Sequence, residues 1–296
     1  ISNLIDGKKI STSIQDSLRK DISELRIKYK KVPKLVVILI GKNPASISYV
    51  KAKERACKKV GIFCHVERLE ENILESELIN IINKINLDTE THGIIVQLPL
   101  PKGLDDEKII QSISPSKDVD GLTNENLGLL ASGNPRFVPA TPLGIQILLH
   151  EINAKTEGSN IVIIGRSKLV GIPLALLLSS KSELGNATVT VCHSRSKNIR
   201  RHTIKADIVI VATGFPNTLT ADMVKKGSII IDVGVNRIED KTKKNGYRLI
   251  GDIKFDELKD LAHKITPVPG GVGPMTISMI LRNVTKAFSL KMKKLM

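Results

Sequence analysis

The sequence predicts an α/β protein with two domains, and three observations lead to that prediction. Short apolar runs, rich in β-branched residues, recur along the chain, as expected for strands buried on both faces of a parallel sheet. Helical patterns lie between these runs, and such alternation is typical of α/β folds. The chain has 296 residues, 41% of them hydrophobic and 25% charged. That length suggests about two domains, and the composition excludes disordered and fibrous classes.

Six apolar runs are predicted strands, and all of them end at or near a turn. They are residues 34–40, 93–96, 160–164, 187–192, 207–212 and 228–233. A hairpin is expected over residues 240–251, where Asn245-Gly246 is a typical two-residue turn.

The segments between the runs predict helices, mostly with one apolar face. The predicted helices cover residues 10–28, 46–61, 74–87, 143–152, 170–180, 220–226 and 274–294. Thr220 is a plausible N-cap for the helix over 220–226. Prolines interrupt the pattern at residues 139–142, so we predict a first domain of residues 1–139 and a second of 140–273.

The chain is basic, with 45 Lys and Arg against 30 Asp and Glu and a formal net charge of +15. A solvated basic surface is one interpretation, and attraction of small polyanionic ligands is another. A nucleic-acid interface is the third. It is disfavoured because only 3% of the residues are aromatic, none is Trp, and the cations are spread along the chain.

The numbers of cysteines and histidines argue against disulfide-rich and metal-binding proteins, and the hydropathy argues against a membrane protein. Three cysteines (Cys57, Cys64 and Cys192) make no disulfide framework, and with six scattered histidines they show no metal-ligand spacing. No metal is therefore expected. No apolar run reaches the roughly 18–20 residues that span a bilayer. Residues 1–11 do not resemble a signal peptide, so we expect no membrane contact and a cytoplasmic location, or a matured organelle protein.

Lys53 lies at an unusual place in the predicted helix 46–61. Helical spacing puts it on one face with Tyr49, Val50 and Cys57, the face that should be buried. A lysine there either extends its amine to solvent or is desolvated with a lowered pKa, which suits proton transfer.

Two further polar positions follow the predicted strands of the first domain. Gln97 comes directly after a buried run, where open α/β sheets place ligands, although it could simply end the strand. Asp118 and Asp120 flank a valine on a predicted loop. They could form a turn, bind a metal, or accept hydrogen bonds from a substrate.

The segment 161–173 (IVIIGRSKLVGIP) reads as strand, turn and helix. It places Gly165 and Ser167 where a dinucleotide phosphate meets a helix N-terminus. The next strand ends at Cys192-His193-Ser194-Arg195, without the acidic residue that often binds the ribose 2′-hydroxyl of NAD. Arg166, Ser194 and Arg195 are donors suited to a 2′-phosphate, so NADP is favoured and NAD remains possible. The Pro- and Gly-rich segment 265–276 is either a ligand-binding loop or a structural linker.

Seven motifs together resemble one known family over nearly the full chain. They are SYVKAK around Lys53, VQLPLP at Gln97, KDVDGL at Asp120, PATPLG at Thr141, GRSKLVG at Arg166, CHSR at Ser194 and TPVPGGVGPMT. In this order they resemble the bifunctional methylenetetrahydrofolate dehydrogenase/methenyltetrahydrofolate cyclohydrolase family.

The resemblance implies a fold and a function. It implies two α/β domains around a cleft, with a Rossmann-like, parallel-sheet C-terminal domain and a last helix, 274–296, that completes the N-terminal folate-binding domain. It implies oxidation of 5,10-methylenetetrahydrofolate with NAD(P)⁺, then hydrolysis to 10-formyltetrahydrofolate. These reactions belong to one-carbon metabolism and serve purine biosynthesis. A homodimer and polyglutamylated folate substrates are also implied.

The same resemblance implies a role for each matching residue. Lys53 would be the key catalytic residue, Tyr49 would orient the folate, and Gln97 would hydrogen-bond Lys53 and keep it partly neutral. Asp120 would accept hydrogen bonds from the pterin. Other substrate contacts would come from Leu98, Pro269 and Gly273. Contacts with the cofactor would come from Thr141, Gly165, Arg166, Ser167, Ser194, Val235 and Thr276.

Three alternatives stay open on the sequence. One is a family member with dehydrogenase activity only, although Lys53 and Gln97 are both present. Another is a different Rossmann oxidoreductase, such as a shikimate-type dehydrogenase. The third is a basic nucleic-acid binder without catalytic activity.

Overall fold

The apolar runs form two separate parallel sheets in the computed structural model, which describes residues 3–242 and 246–294. Each sheet belongs to its own unit. One unit comprises Thr12–Ala140 and the residues from Ile277 onward; the other comprises Thr141–Thr276 and the residues up to Ser11. We predicted from the sequence that the first domain includes the N-terminus. In the structure, the residues up to Ser11 group with the second unit instead.

The first unit is built on a three-stranded parallel sheet. Its strands are β1 (Lys34–Ile40), β2 (Phe63–Leu69) and β3 (Gly93–Val96), with β1 in the centre and the order β2-β1-β3. Strands β1 and β3 are almost fully buried, because their Val, Ile and Leu side chains pack on both faces of the sheet. The carboxyl end of β3 leads directly to Gln97.

Helices cover this sheet and carry the polar residues of interest. They are α1 (Gly7–Tyr29), α2 (Pro44–Val60), α3 (Glu75–Leu87), α4 (Asp106–Gln111), α5 (Asn124–Ala131) and, from Ile277 onward, α10 (Val272–Lys294). Helix α10 is fixed by Asn283, whose Nδ2 donates to the carbonyl oxygens of Val119 and Val138 at 2.8 and 3.0 Å. These bonds tie α10 to the segment that follows Asp118.

The second unit contains a five-stranded parallel sheet. Its strands are β4 (Asn160–Ile164), β5 (Thr188–Cys192), β6 (Ile208–Val211), β7 (Ile229–Asp232) and β10 (Lys264–Ile265), in the order β10-β7-β6-β4-β5. From β4 the chain continues to β5, which pairs with one side of β4, and then crosses to β6, which pairs with the other side of β4. Ligands bind at such a switch point, outside the carboxyl ends of the strands. Here that place lies beyond the ends of β4 and β6.

The remaining elements of this unit are short apart from two helices. They are α6 (Ala140–Glu151), α7 (Gly171–Ser179), α8 (Arg200–Thr203), α9 (Phe255–Leu258) and the antiparallel pair β8 (Asn236–Glu239) and β9 (Tyr247–Ile250). The antiparallel pair confirms that a hairpin forms here, but its first strand lies before residue 240, where the predicted hairpin of residues 240–251 begins. Of its predicted turn, Asn245 lies outside the described residues.

The short elements α4, α5, α8, α9 and β10 were not predicted, and the secondary-structure prediction fails at two longer segments as well. The helix predicted over 220–226 is only a 3₁₀ turn at Ala221–Met223, and the backbone is extended again at Val224. The Thr220 hydroxyl donates to the carboxylate of Asp222 and makes no capping bond to the backbone. Strand β2 was missed because its exposure alternates along Phe63–Leu69, so its sequence lacks the continuous apolar run of the other strands.

Candidate active site

Helix α2 places Lys53 on its buried face. The helix begins where the Asn43 side chain accepts hydrogen bonds from the backbone N–H groups of Ala45 and Ser46, at 2.9 and 3.1 Å. It ends at Gly61, which adopts the left-handed conformation with φ of +91°. Between these ends Lys53 is only 8% exposed. The structure therefore favours the desolvated alternative over an amine extended into solvent.

Gln97 meets Lys53 from the end of β3. Nζ of Lys53 donates to Oε1 of Gln97 at 2.8 Å. The Gln97 amide is oriented by its Nε2, which donates to the carbonyl oxygen of Leu98 at 2.7 Å. Gln97 is thus more than a strand terminator, because it holds the amine of Lys53 with a neutral acceptor.

Lys53 and Asp120 are electrostatic partners. Burial lowers the pKa of Lys53, and the negative charge of Asp120 opposes that effect. Burial raises the pKa of Asp120, which the positive charge of Lys53 opposes and the charge of Asp118 reinforces. Each group is pushed toward its neutral form, and such perturbed pairs concentrate at functional sites.

Asp118 plays a different part from Asp120, although only Val119 separates them. Its Oδ1 accepts from the N–H of Gly121 at 3.0 Å. Its Oδ2 accepts from the N–H and hydroxyl of Thr123 and from Nδ2 of Asn126, each at 2.8 Å. Asp118 is therefore the turn former of the KDVDG motif, and it fixes the loop that carries Asp120.

Tyr49 lies one helical turn before Lys53 and is 40% exposed. Burial of part of its ring raises the pKa of its hydroxyl. On the other side of Lys53, the thiols of Cys57 and Cys64 are hydrogen-bonded to one another, which raises the pKa of Cys57 and lowers that of Cys64.

No group of three or more potential metal ligands occurs among residues 3–242 and 246–294.

The turn after β4 packs closely against neighbouring backbone at two glycines. Gly165 has φ of +130°, and a Cβ there would lie 2.2 Å from the carbonyl oxygen of Ala212 beyond β6. A Cβ at Gly171 would lie 2.1 Å from the Gly165 carbonyl oxygen. Both glycines allow the turn to approach neighbouring backbone closely. Ser167 stabilises the turn, since its hydroxyl accepts from the N–H of Val170 at 3.1 Å.

Arg166, Ser194 and Arg195 are exposed at the carboxyl ends of β4 and β5. No acidic side chain occurs between Cys192 and Lys197, so no side chain of this segment would repel a phosphate. The donor set fits a ribose 2′-phosphate and lacks the carboxylate acceptor that a free 2′-hydroxyl prefers.

The other predicted cofactor residues also lie in the second unit. Thr141 and Thr276 are hydrogen-bonded through their hydroxyl oxygens, 3.0 Å apart. Val235 is 42% exposed and directly precedes β8. Pro269 and Gly273 are exposed near the start of α10. These two belong to the unit of Thr141, not to that of Lys53, and their part in folate binding stays a prediction.

Comparison with known proteins gives the same family for both parts of the chain. A family model for the tetrahydrofolate dehydrogenase/cyclohydrolase catalytic domain matches residues 5–120, and one for the NAD(P)-binding domain of that family matches residues 139–292. A bifunctional FolD protein from Cytophaga hutchinsonii is 46% identical over 97% of this chain and 99% of its own. The chain belongs to the tetrahydrofolate dehydrogenase/cyclohydrolase family.

Solved structures of this family agree with the fold. The bifunctional FolD enzyme from Campylobacter jejuni has a TM-score of 0.90 and 45% identity, covering 97% of this chain and 98% of that one. The Trypanosoma brucei dehydrogenase-cyclohydrolase, complexed with NADP cofactor and an inhibitor, has a TM-score of 0.93 and 36% identity, covering 98% of each chain.

Membership of the tetrahydrofolate dehydrogenase/cyclohydrolase family decides several questions. The chain is an oxidoreductase and a hydrolase of folate one-carbon metabolism, and the monofunctional alternative is not favoured. The family model identifies residues 139–292 as an NAD(P)-binding domain, and the Trypanosoma brucei relative is a complex with NADP. A shikimate dehydrogenase from Thermus thermophilus, at 14% identity and a TM-score of 0.53, shares the fold alone. Within the described ranges, no helix is long and apolar enough to cross a membrane.

The sequence did not indicate one contact near the switch point, in which Oδ2 of Asp252 accepts from the backbone N–H groups of Thr213 and Gly214. The loop of Thr213 and Gly214 follows β6 at the switch point, and the Thr-Gly pair after an apolar run was its signal. Asp252 gave no signal, because it follows a hairpin strand and reaches this loop only through the tertiary fold.

Proposed function

We propose that Lys53, Gln97 and Asp120 form the centre that oxidises 5,10-methylenetetrahydrofolate with NADP⁺ and hydrolyses the resulting 5,10-methenyltetrahydrofolate to 10-formyltetrahydrofolate. The observation that carries the proposal is the bond from buried Lys53 to Gln97, at 2.8 Å. In an enzyme of this family, such an amine is available for proton transfer to and from folate.

In the dehydrogenase step, the protein's main contribution is position. Asp120 accepts hydrogen bonds from the N–H groups of the pterin, and Tyr49 packs against the substrate one helical turn from Lys53. Bound NADP⁺ supplies the hydride acceptor. The one-carbon unit that loses hydride becomes a cation stabilised by the two flanking nitrogens. The chain therefore needs no base for this step.

In the cyclohydrolase step, Lys53 moves protons. Water adds to the methenyl carbon, and the neutral amine of Lys53 accepts the proton that the water loses. That proton is then returned to N5 as the bond from N5 to the one-carbon unit breaks, while the hydroxyl left on that carbon loses its own proton to solvent. The formyl group stays on N10, and the step consumes one water and releases one proton. Gln97 keeps Nζ of Lys53 oriented, and burial keeps a fraction of the amine neutral.

Further residues would contact the cofactor and the folate. We propose that NADP contacts Thr141, Gly165, Arg166, Ser167, Ser194, Val235 and Thr276. Leu98, Pro269 and Gly273 would add contacts to folate. The family assignment, the close-packed turn at Gly165 and the exposed donors near Arg166 support these roles.

The partners and location are proposals of the same kind. The net charge of +15 suits capture of polyglutamylated folates, which are polyanions. A homodimer in the cytoplasm is proposed, with 10-formyltetrahydrofolate serving formyl transfer in purine biosynthesis.

A spectrophotometric assay tests the proposed function. 5,10-Methylenetetrahydrofolate is mixed with the purified protein and either NADP⁺ or NAD⁺. We expect nicotinamide reduction, faster with NADP⁺, and no accumulation of the methenyl chromophore. Reduction with accumulating methenyl product would show a dehydrogenase only, and no reduction with either cofactor would overturn the proposal.

A further inference from the structure

Two buried aspartates, Asp232 and Asp252, lie close together at the carboxyl end of β7. Asp232 is the last residue of β7 and Asp252 follows β9; they are 2% and 0% exposed. Oδ1 of Asp232 accepts from the backbone N–H of Asp252 at 2.9 Å, and its Oδ2 accepts from that of Ile253 at 3.3 Å. Asp232 thus fixes the backbone that carries Asp252, and neither residue has a part in the function described above.

The Asp252 carboxylate holds two other segments. Its Oδ2 accepts from the N–H of Thr213 at 2.7 Å, the Thr213 hydroxyl at 3.0 Å and the N–H of Gly214 at 2.8 Å. Its Oδ1 accepts from Nδ2 of Asn236 at 2.9 Å. One side chain therefore joins the loop after β6 to the first residue of β8.

The surrounding glycines leave room for these carboxylates. A Cβ at Gly234 would lie 2.0 Å from Oδ1 of Asp252, and a Cβ at Gly251 would lie 1.7 Å from Oδ2 of Asp232. Any side chain at either position would displace a carboxylate from its donors. The packing admits the two aspartates only because both neighbours are glycine.

The segments that Asp252 joins border the place where a dinucleotide binds. Thr213 and Gly214 follow Ala212, whose carbonyl oxygen lies against Gly165 at the switch point between β4 and β6. Asn236 directly follows Val235, a proposed cofactor contact. We propose that Asp252 is a positioning residue for NADP binding, which it serves by fixing the loop after β6 and the segment of Val235. The proposal rests on the proposed function.

The two activities of the enzyme allow a direct test. NADP affinity is measured by titration calorimetry on wild type, Asp252→Ala and Asp252→Asn. The cyclohydrolase is assayed separately as decay of methenyltetrahydrofolate without cofactor, which reports folding and the Lys53 site. Asp256→Asn is the control, since that exposed carboxylate pairs only with Lys259 among the described residues.

We expect Asp252→Ala to raise the Kd for NADP about tenfold or more, because four donors lose a charged acceptor. Asp252→Asn should fall between wild type and Asp252→Ala, since one amide oxygen can still receive the Thr213 and Gly214 donors. The cyclohydrolase rate should stay within about twofold of wild type in both variants, and the control should match wild type.

Other outcomes would overturn the inference. An unchanged Kd for NADP in both variants would remove Asp252 from cofactor binding. Equal losses of NADP affinity and cyclohydrolase rate in both variants would show a merely structural role. Failure of the wild-type protein to bind NADP would instead overturn the proposed function, so the two failures are distinguishable.

Discussion

Nζ of Lys53 lies 2.8 Å from Oε1 of Gln97 and joins the middle of α2 to the end of β3. The acceptor is a neutral amide, so it orients the amine of Lys53. A carboxylate in the same place would also stabilise the protonated, positively charged amine. Burial can therefore keep the pKa of Lys53 below its usual value. A base at this position is useful only if part of it is unprotonated near neutral pH.

Gln97→Leu should impair hydrolysis more than oxidation. The substitution removes the acceptor of Lys53 and replaces it with a shorter, apolar side chain. We expect the cyclohydrolase kcat to fall about tenfold to a hundredfold, because Nζ loses its orientation, and the dehydrogenase to fall less. Separate assays of methenyl decay and nicotinamide reduction measure the split, and an unaltered hydrolysis rate would contradict the role given to Gln97.

Asp120→Asn should weaken folate binding and shift the pH profile of the remaining cyclohydrolase. The negative charge of Asp120 raises the pKa of Lys53, so its removal lowers that pKa further. Activity that depends on neutral Lys53 rises with pH through this pKa, and that rise should move to lower pH in the variant. The folate Kd should increase about tenfold or more, because pterin donors lose a charged acceptor. A shift to higher pH would contradict the electrostatic coupling.

Arg166→Ala should discriminate between the two nicotinamide cofactors. Arg166 is exposed beside the turn at Gly165, and a guanidinium there matches the charge of a ribose 2′-phosphate. We expect kcat/KM with NADP⁺ to fall about tenfold or more, with a much smaller change for NAD⁺. Lys155→Ala, on an exposed loop of the same unit, is the control. Equal losses with both cofactors would mean that Arg166 does not bind the 2′-phosphate.

His92 should make the stability of the fold depend on pH. It is 4% exposed, its Nδ1 accepts from the N–H of Lys34 at 3.1 Å, and its ring lies edge-on to Phe288. Burial, reinforced by the charge of Lys291, lowers the pKa of His92 to about 4. Below the usual histidine pKa of about 6.5, the His92 imidazole is protonated in the unfolded chain but stays neutral in the folded chain. The free energy of unfolding should therefore fall as pH falls from 6.5 toward 4.

The variant His92→Asn isolates this effect, because an amide can accept the same backbone bond and does not titrate. Between pH 7.5 and 5, wild type should lose roughly 2 kcal/mol more stability than the variant. Urea denaturation at both pH values measures the difference. Parallel pH dependence in the two proteins would rule out His92 as the titrating group.

The sequence predicted the strands with continuous apolar runs well and missed the more exposed strand β2. Strands β1, β3, β4, β6 and β7 consist almost entirely of Val, Ile and Leu. Such continuous apolar runs are typical of strands buried on both faces of a sheet. Strand β2 is an edge strand, and its exposed Phe63 and its polar residues made it look like a loop. Short helices such as α4 and α8 have too few turns to show a helical period.

The candidate site was predictable where a local pattern placed a residue. Helical spacing put Lys53 on a buried face, and the end of an apolar run singled out Gln97. The difference between Asp118 and Asp120 was not predictable, because two aspartates on one turn look alike until the donors of Thr123 and Asn126 are in place. The contact of Asp252 with Thr213 joins residues far apart in the chain, so no local pattern could reveal it.

The rate of methenyltetrahydrofolate hydrolysis by Lys53→Met tests the account most directly. Lys51→Met, on the exposed side of the same helix, is its matched control. Loss of the proton carrier should reduce hydrolysis about a hundredfold or more, while the variant stays folded and still binds NADP with wild-type affinity. The control should hydrolyse at the wild-type rate. Hydrolysis by Lys53→Met at the wild-type rate would contradict the account, because Lys53 would then have no part in the proton transfers.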